Sequence, residues 1–552
     1  MTLARTAPEL SAFRRPPEQV MRLDRMGASH PTRLSFLRAL LRRMQAEGWR
    51  FDRPLWEVDD RGVGRAVYRA IGPARTYSLV AFAHDLPDHL RSDRVIATAW
   101  DATFALVDGT PDAADLDRLA ANVPLQEAGR ITAKELCLSR ANRSVRLFGH
   151  VVDRLSQGLQ PEVSEIEAVG YLMRTTAVYG SGKFGAADRA VIADRPELSG
   201  PFRAEMLSVW LTRAFTVDLA EHLARARGGP RAVPLDRDLR RRLGVGNSTG
   251  LGMAPFLVRH PVLLHNWMQA REEALARVRA QNAALPEAVA GLRAALTAAG
   301  DNAASWASDH PLQQAKLADL RRDLDLIGAA LEDFPQGARP WDALWRWGEA
   351  HLTLEGQEAL LALMLEPHGA LVDDLAEEMS ADEASVFTLD GSIPVEAFRA
   401  DLARRYAWAL TRDYRDPEEL ARFWYVSEEK LEPRIGQRFA EDGAAREQPL
   451  GVGRMAFDLA QALADWPGDQ PLAGFLLAHP EHRQMARRVQ QSRAHPYAEI
   501  QDNLLAAEVL PIDLLRCKLA FFGASHFDPR SDKWVRISLC KGAPFPDELG
   551  PS

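Results

Sequence analysis

The longest uniform stretch of this sequence runs from residue 255 to about residue 380 and is rich in Ala, Leu, Arg and Glu. These residue types favour helices, and Pro, which recurs in the stretch, is preferred in the first turn of a helix. The pattern therefore predicts successive helices that begin at prolines. Because a chain of 552 residues exceeds one ordinary hydrophobic core, we expect a mainly α protein of several domains.

A second pattern lies in the first fifth of the chain and predicts strands. Residues 66–71 and 77–82 are rich in β-forming residues and flank Gly72-Pro73, which is a hairpin signal. Residues 95–107 supply one or two further strands, and the alternating segment at 534–539 is expected to join the same sheet. The expected fold is a multi-helix protein with a small antiparallel β-sheet near its N-terminus.

Breaks in these patterns set the expected domain boundaries. Pro16 and Pro17 block regular structure near the N-terminus, and Asp390-Gly391-Ser392 is typical of a turn. We expect four successive regions: an irregular arm at 1–28, a helix with the small sheet at 29–112, a helical domain with Gly-rich loops at 113–390, and a C-terminal helical domain ending in a short strand at 391–552.

Composition excludes several classes of protein. The formal net charge of −8 gives no global reason to expect nucleic acid as a partner. The three cysteines (Cys137, Cys517 and Cys540) are far apart, which predicts neither a disulfide framework nor a thiolate metal site. Because the sequence has no secretory signal and no apolar run long enough to span a bilayer, we expect a cytoplasmic protein without a membrane partner.

Residues 237–261 are the strongest candidate for a ligand-binding segment. Four arginines, at positions 237, 240, 241 and 242, precede a run with four glycines and the triplet Asn247-Ser248-Thr249. Glycine lets the backbone approach a ligand closely, and arginine can clamp a carboxylate or phosphate. We expect a glycine-rich loop at 244–253 that binds an anion through Arg241, Asn247, Ser248 and Thr249. The alternative is a flexible turn capped by Asn or Ser.

A second glycine-rich segment, residues 179–185, separates two stretches of helical pattern. Lys183 is expected to bind an anion or, with a lowered pKa, to act as a general base, and Tyr179 to donate a proton. Ser181 and the preceding Arg174 are expected to bind substrate. The segment lacks the first glycine and the preceding strand of a nucleotide-binding P-loop. The alternative is a tight turn between helices with a solvated lysine.

A third group is expected on one helix. If residues 139–150 are helical, Arg143, Arg146 and His150 share a face and together would attract an anion. The alternative is an ordinary solvated helix face.

Two classes of function follow from these groups. The first is an enzyme acting on a small carboxylate- or phosphate-bearing metabolite, with Lys183, Tyr179 and His260 moving protons. Helical lyases use Ser/Gly-rich loops in a comparable way, so a lyase is the first expectation and a transferase the second. The other class is a helical scaffold or regulatory protein that binds an acidic partner or RNA through the arginines of 237–242. The sequence assigns no cofactor, no metal and no oligomeric state.

Overall fold

The structure is a computed structural model. It describes residues 10–22, 25, 35–90, 99–125, 129–175, 194–198, 202–249, 261–304, 311–381, 387–415, 452–501, 526–527 and 535–549.

The described residues contain nine strands, all in one sheet. They are β1 (Arg50–Val58), β2 (Gly64–Ile71), β3 (Thr76–Ala83), β4 (Ala102–Asp108), β5 (Glu135–Arg143), β6 (Tyr171–Thr175), β7 (Gly244–Thr249), β8 (His526–Phe527) and β9 (Val535–Leu539). Their order across the sheet is β1-β2-β3-β4-β5-β6-β7-β9-β8. All neighbours are antiparallel except β6 and β7, which are parallel.

The described residues also contain nineteen α-helices. They are α1 (Pro17–Val20), α2 (Phe36–Ala46), α3 (Ala113–Asn122), α4 (Phe148–Ser156), α5 (Val163–Val169), α6 (Arg203–Gly228), α7 (Arg237–Arg242), α8 (Pro261–Arg279), α9 (Pro286–Ala304), α10 (Pro311–Glu332), α11 (Pro340–His351), α12 (Leu354–Leu365), α13 (Gly369–Ala381), α14 (Val395–Arg405), α15 (Ala407–Leu410), α16 (Val452–Leu463), α17 (Leu472–Ala478), α18 (Arg483–Ala494) and α19 (Pro546–Leu549). The predicted mainly α composition is confirmed.

The chain divides into two compact units, each assembled from separate parts of the sequence. The helical unit takes its described residues from Met1–Thr32 and Gly250–Ala520, and the sheet unit takes them from Arg33–Thr249, Phe521–Pro529 and Val535–Ser552. The four domain boundaries expected from the sequence stay predictions.

The sheet unit has helices on both faces of the sheet. Helix α6 packs on one face, where Phe215 meets the Phe104 ring at a centroid distance of 5.4 Å. On the opposite face, Leu116 and Leu119 of α3 join a buried cluster with strand residues such as Leu138. Because successive strand residues point to opposite faces, a sheet covered on both sides needs apolar residues at every position. This explains the continuous apolar runs of β3 and β4.

The sheet is larger than the small N-terminal sheet expected from the sequence. Residues 113–230 gave a helical pattern, yet β5 and β6 lie within them. Strand β5 is buried on both faces along nearly its whole length, so its sequence lacks a sustained polar–apolar alternation. The predicted hairpin is confirmed in β2 and β3, and the predicted C-terminal strand is confirmed in β9.

The helical unit is organised around a buried ion network. The Arg15 guanidinium contacts the carboxylates of Glu272 on α8 and Glu358 on α12, and all three side chains are buried. Arg25 and Arg271 also pair with Glu358. Carboxylates and guanidinium groups at this depth require such mutual pairing. The network therefore fixes the described part of the N-terminal arm against the helices of this unit.

Candidate functional site

The candidate site is centred on strand β5 of the sheet unit, near the point where β5 has β4 on one side and β6 on the other. The first part of β5 pairs with β4, and residues 141–143 pair with β6. Ala141 lies at the change and pairs with both Ala102 of β4 and Thr175 of β6. The beginning of β4, the last third of β5 and the end of β6 therefore meet at one place in the sheet.

The adjacent parallel strands β6 and β7 both end near this part of the sheet. Thr175, the last residue of β6, pairs with Asn247, and β7 ends at Thr249. Neighbouring strands of a sheet lie about 4.8 Å apart. The predicted glycine-rich segment 179–185 comes shortly after the end of β6 in the sequence, and the predicted segment 244–253 contains β7 and the four residues after it.

Several predicted site residues belong to those segments or to the end of β7. Tyr179, Ser181, Lys183 and His260 lie outside the described residues. The backbone of residues 247–249 is described, but the side chains of Asn247, Ser248 and Thr249 are not. Arg174 is described, and it lies buried in β6.

The predicted loop at 244–253 is wrong for residues 244–249, which form strand β7. A Cβ atom on Gly244 would lie 2.2 Å from the Leu539 carbonyl oxygen, and one on Gly246 would lie 2.6 Å from the Tyr171 ring. Real Cβ atoms do not approach neighbours this closely, so glycine is required at both positions. These two glycines allow close packing within the sheet; they do not supply the flexibility of a loop.

A polar strip, defined by Thr103, Arg140, Asn142 and Arg174, crosses three strands at this place. Thr103 pairs with Arg140 across β4 and β5, and Asn142 pairs with Arg174 across β5 and β6. Arg140 and Asn142 are two residues apart on one strand, so the four side chains share a face of the sheet. Arg140 is half-buried and the other three are buried.

Arg140 is the exceptional member of the polar strip, because no carboxylate or hydrogen-bond acceptor in the described part of the chain contacts its guanidinium. Its one close partner is the Trp100 ring, whose centroid lies 4.1 Å from the Arg140 Cζ atom. Burial without a counter-charge lowers the pKa of Arg140. An aromatic ring compensates a guanidinium only in part, so an anion placed here would gain a full charge partner.

The surroundings of Arg140 are held rigidly by Asn142. The Asn142 Oδ1 atom accepts a hydrogen bond from the Asp101 backbone N–H at 2.8 Å, and its Nδ2 atom donates to the Ala99 carbonyl at 3.2 Å. Asp101 in turn accepts from the Arg143 N–H at 2.9 Å. These contacts tie the chain before β4 to β5, and they fix Trp100 between two anchored residues.

His84 adds a titratable group next to the polar strip. Its Nε2 atom lies 3.2 Å from the Thr103 hydroxyl, and its backbone N–H donates to the Asp101 carbonyl at 2.8 Å. Burial lowers the pKa of His84 below its usual value of 6.5, against the opposing attraction of Asp101. The imidazole is therefore neutral at pH 7 and has the protonation state of a general base.

The four arginines of 237–242 are engaged with carboxylates of the same unit. Arg237, Arg240 and Arg241 all pair with Glu548 of α19, and Arg242 pairs with Glu167 of α5. Arg240 also contacts Asp547. Arg241 was expected to bind substrate; its Nε atom lies 3.2 Å from a Glu548 oxygen. This group therefore stabilises the C-terminal segment, and its charge is already compensated.

The predicted helical group of Arg143, Arg146 and His150 is wrong. Arg143 is the last residue of β5, whereas His150 lies on α4 and pairs with Glu165. A strand followed by a separate helix does not place these side chains on one helical face. This region forms a strand because β5 pairs with β6, and no local sequence pattern indicates that pairing.

His84, Trp100 and Arg140 were not singled out as a site by the sequence. Arg140 and Asn142 lie at a spacing of two, which becomes meaningful only if residues 135–143 are taken as a strand. The chain brings Trp100 and His84 to them through the β3–β4 connection. The sequence signal that could have revealed this site was therefore the period-two spacing of polar residues, in a stretch that otherwise has a helical pattern.

No group of three or more His, Cys, Asp or Glu residues able to hold a metal ion occurs among the described residues. None of the described helices is long and apolar enough to cross a membrane. Comparisons with protein-family models, with curated proteins and with solved structures gave no significant match.

Proposed function

We propose that this protein is an enzyme that binds a small anionic metabolite, bearing a carboxylate or phosphate, against Arg140 of the polar strip. The observation that carries the proposal is the Arg140 guanidinium, which is half-buried, stacked on Trp100 and without a charged partner in the described chain. Partial burial without a counter-charge makes this guanidinium a favourable position for an anion, which would supply the charge partner that the ring does not.

The neighbouring groups suit the handling of a bound anion. The Thr103 hydroxyl and the His84 imidazole already contact each other, and Thr103 is the cross-strand neighbour of Arg140. An arginine that fixes a carboxylate and a neutral histidine that accepts a proton are the elements of proton abstraction next to that carboxylate. This supports a lyase as the first reaction class and a transferase as the second.

The two glycine-containing segments remain part of the proposal. One comes shortly after the end of β6 in the sequence, and the other contains β7. Lys183 and Tyr179 are proposed to move protons, and Ser181, Asn247, Ser248 and Thr249 to bind substrate together with Arg174. The role of His260, which belongs to the helical unit, stays a prediction. Arg241 is no longer proposed as a substrate ligand, because Glu548 already holds it.

A thermal-shift screen against small carboxylates and phosphates tests the binding part of this proposal. A ligand at 100 times its Kd stabilises the native state by about 2.7 kcal/mol, which is readily detected. The shift should disappear in Arg140→Gln and persist in Arg65→Gln. Arg65 is a suitable control because it lies on β2 and pairs with Glu57 on the exposed side of the same unit. An equal shift in both variants would rule out Arg140 as the anchor.

The catalytic part is tested with the ligand that the screen identifies. Lys183→Ala should retain the thermal shift and lose turnover of that compound, because the lysine is proposed to move a proton and not to anchor the anion. Turnover equal to that of the wild type would remove Lys183 from the mechanism. Binding without turnover in the wild type would leave a binding protein and contradict the enzyme assignment.

A further inference from the structure

A cavity of the sheet unit lies away from the polar strip. It has a volume of about 330 Å³ and is bounded by the first two strands, by α6 and by the C-terminal segment that contains α19. This volume is within the range of small-molecule sites in proteins. Its apolar walls are formed by Phe51, Leu211, Ala214, Val217, Phe545 and Pro546.

The arginines that line this cavity are already paired with carboxylates. Arg53 donates to Asp218 at 2.6 Å, which also accepts from the Tyr68 hydroxyl at 2.6 Å. Arg69 donates to Asp52 at 2.8 Å. Arg240, the remaining cation of the lining, is held by Asp547 and Glu548. The cavity therefore offers no uncompensated positive charge.

Glu221 is the lining carboxylate with the weakest compensation. Its Oε1 atom accepts the Leu235 N–H at 3.0 Å, while its Oε2 atom lies 3.8 Å from the nearest Arg225 nitrogen. Arg225 is largely exposed, so solvent screens its charge. Leu211, Ala214, Asp218 and Glu221 lie along one face of α6, so Glu221 follows the paired carboxylate Asp218 on the side of the helix that lines the cavity.

We propose that this cavity binds an organic ammonium ion with a hydrophobic body, the ammonium at Glu221 and the body against Phe51 and Phe545. The lining combines six apolar residues with charged residues that are mostly paired with one another, so the hydrophobic body and the charged group of one ligand could both be accommodated. The proposal is independent of anion binding at Arg140.

The electrostatics of Glu221 favour binding of a cation. Burial, together with the neighbouring Asp218 charge, raises the pKa of Glu221 above its usual value, against the opposing effects of the Leu235 N–H and of the Arg225 and Arg240 charges. A bound ammonium ion would reverse this effect, because an opposite charge favours the ionised carboxylate. The affinity for the amine should therefore fall as pH drops and Glu221 takes up a proton.

Isothermal titration calorimetry with 2-phenylethylamine tests the proposal on the full chain. The neutral analogue 2-phenylethanol and the anionic analogue 3-phenylpropionate separate charge recognition from simple hydrophobic binding. The amine should bind saturably, and at least tenfold more tightly than either analogue. The absence of saturable amine binding, or equal binding of the alcohol, would overturn the proposal.

Two variants locate the site. Glu221→Gln removes the charge but keeps an oxygen for the Leu235 N–H, and it should weaken amine binding at least tenfold. Glu57→Gln removes an equivalent charge from the exposed side of β1 and should change nothing. Wild-type affinity in Glu221→Gln would overturn the assignment.

A third variant covers the case in which Glu221→Gln fails to fold. Ala214→Leu keeps every charge and fills part of the cavity, so it should also weaken amine binding, and unchanged affinity would overturn the proposal. Arg140→Gln should keep full amine binding, whether or not the anion proposal is correct. The two proposals can therefore fail separately.

Discussion

Arg213 and Arg140 are two arginines of the sheet unit in related settings but with opposite consequences. Both stack on an aromatic ring, Arg213 at 3.9 Å from the Phe545 centroid and Arg140 at 4.1 Å from that of Trp100. Burial lowers the pKa of both groups, for Arg213 to about 10. The difference between them lies in the hydrogen bonds that their guanidinium groups make.

The Arg213 guanidinium is saturated by backbone carbonyls. It donates to Leu243 at 2.6 Å, to Ala543 at 2.8 Å, and to Arg241 and Arg240 at 3.2 and 3.3 Å. Arginine has five N–H donors in a fixed planar arrangement, so one side chain can hold several chain segments together. Arg213 therefore joins α6, the entry to β7 and the C-terminal segment. Arg140, by contrast, donates to no acceptor in the described part of the chain.

The largest effect should follow from removing Arg213. Arg213→Met leaves buried carbonyls without donors, and we expect a loss of about 3 kcal/mol or more in the free energy of unfolding. Urea denaturation measures it. Arg227→Met is the control on the same helix, because Arg227 is an exposed partner of Asp153 and should change stability by less than about 0.5 kcal/mol. Similar losses in the two variants would contradict the role given to Arg213.

A smaller loss of stability is expected when Glu548, a residue of the same C-terminal segment, is substituted. It pairs with Arg237, Arg240 and Arg241 and accepts the Phe545 N–H at 2.7 Å. Glu548→Gln should cost about 2 kcal/mol at pH 7, since charged hydrogen bonds are replaced by neutral ones. Asp547→Asn, at a more exposed carboxylate, should cost less.

The pH dependence of the Glu548 effect has a definite sign. Hydrogen bonds from Arg237, Phe545 and Arg241 outweigh burial and lower the pKa of Glu548 from 4.5 to about 2. A depressed carboxyl pKa stabilises the native state above the unfolded-state pKa, and this contribution is lost as pH falls towards the folded-state value. The stability difference between wild type and Glu548→Gln should therefore shrink between about pH 4.5 and pH 2. A constant difference would show that the charge is not responsible.

Arg140→Gln should have almost no effect on stability, which is the sharpest contrast with Arg213. The substitution removes a half-buried charge that has no carboxylate partner in the described chain, so we expect a change within about 0.5 kcal/mol, or a slight gain. Urea denaturation alongside Arg213→Met gives the comparison directly. A large loss would show that Arg140 has a structural role and would weaken its assignment as a ligand anchor.

The smallest effect concerns His84. Because its pKa is lowered, the native state favours the neutral imidazole, and stability should decline slightly as pH falls below 6.5. NMR titration should give a midpoint below 6.5 for the resonance that disappears in His84→Gln. A midpoint at or above 6.5 would contradict the lowering of the His84 pKa by burial.

The helical parts of the fold were predictable because their signals are local. Helices begin at Pro261, Pro286, Pro311 and Pro340, as the pattern of prolines in Ala- and Leu-rich sequence indicates. The hairpin around Gly72 was likewise readable, since the turn and both strands lie within a short stretch. In these regions sequence neighbours are also the main structural neighbours.

The second half of the sheet was not predictable in this way. Strand β7 has the sequence GVGNST, which has little preference for a strand, and it forms because β6 and β9 pair with it from distant parts of the chain. The candidate site shares this property. Whether an arginine is compensated, as at residues 237–242, or left without a carboxylate, as at Arg140, depends on where such distant segments place their acids.

Calorimetric titration of wild type and Arg140→Gln with one anionic ligand from the thermal-shift screen tests the central claim most directly. Loss of the charge partner should weaken binding at least tenfold, which corresponds to about 1.4 kcal/mol, while Arg65→Gln binds as the wild type does. Equal Kd values in wild type and Arg140→Gln would contradict the claim that Arg140 anchors the ligand.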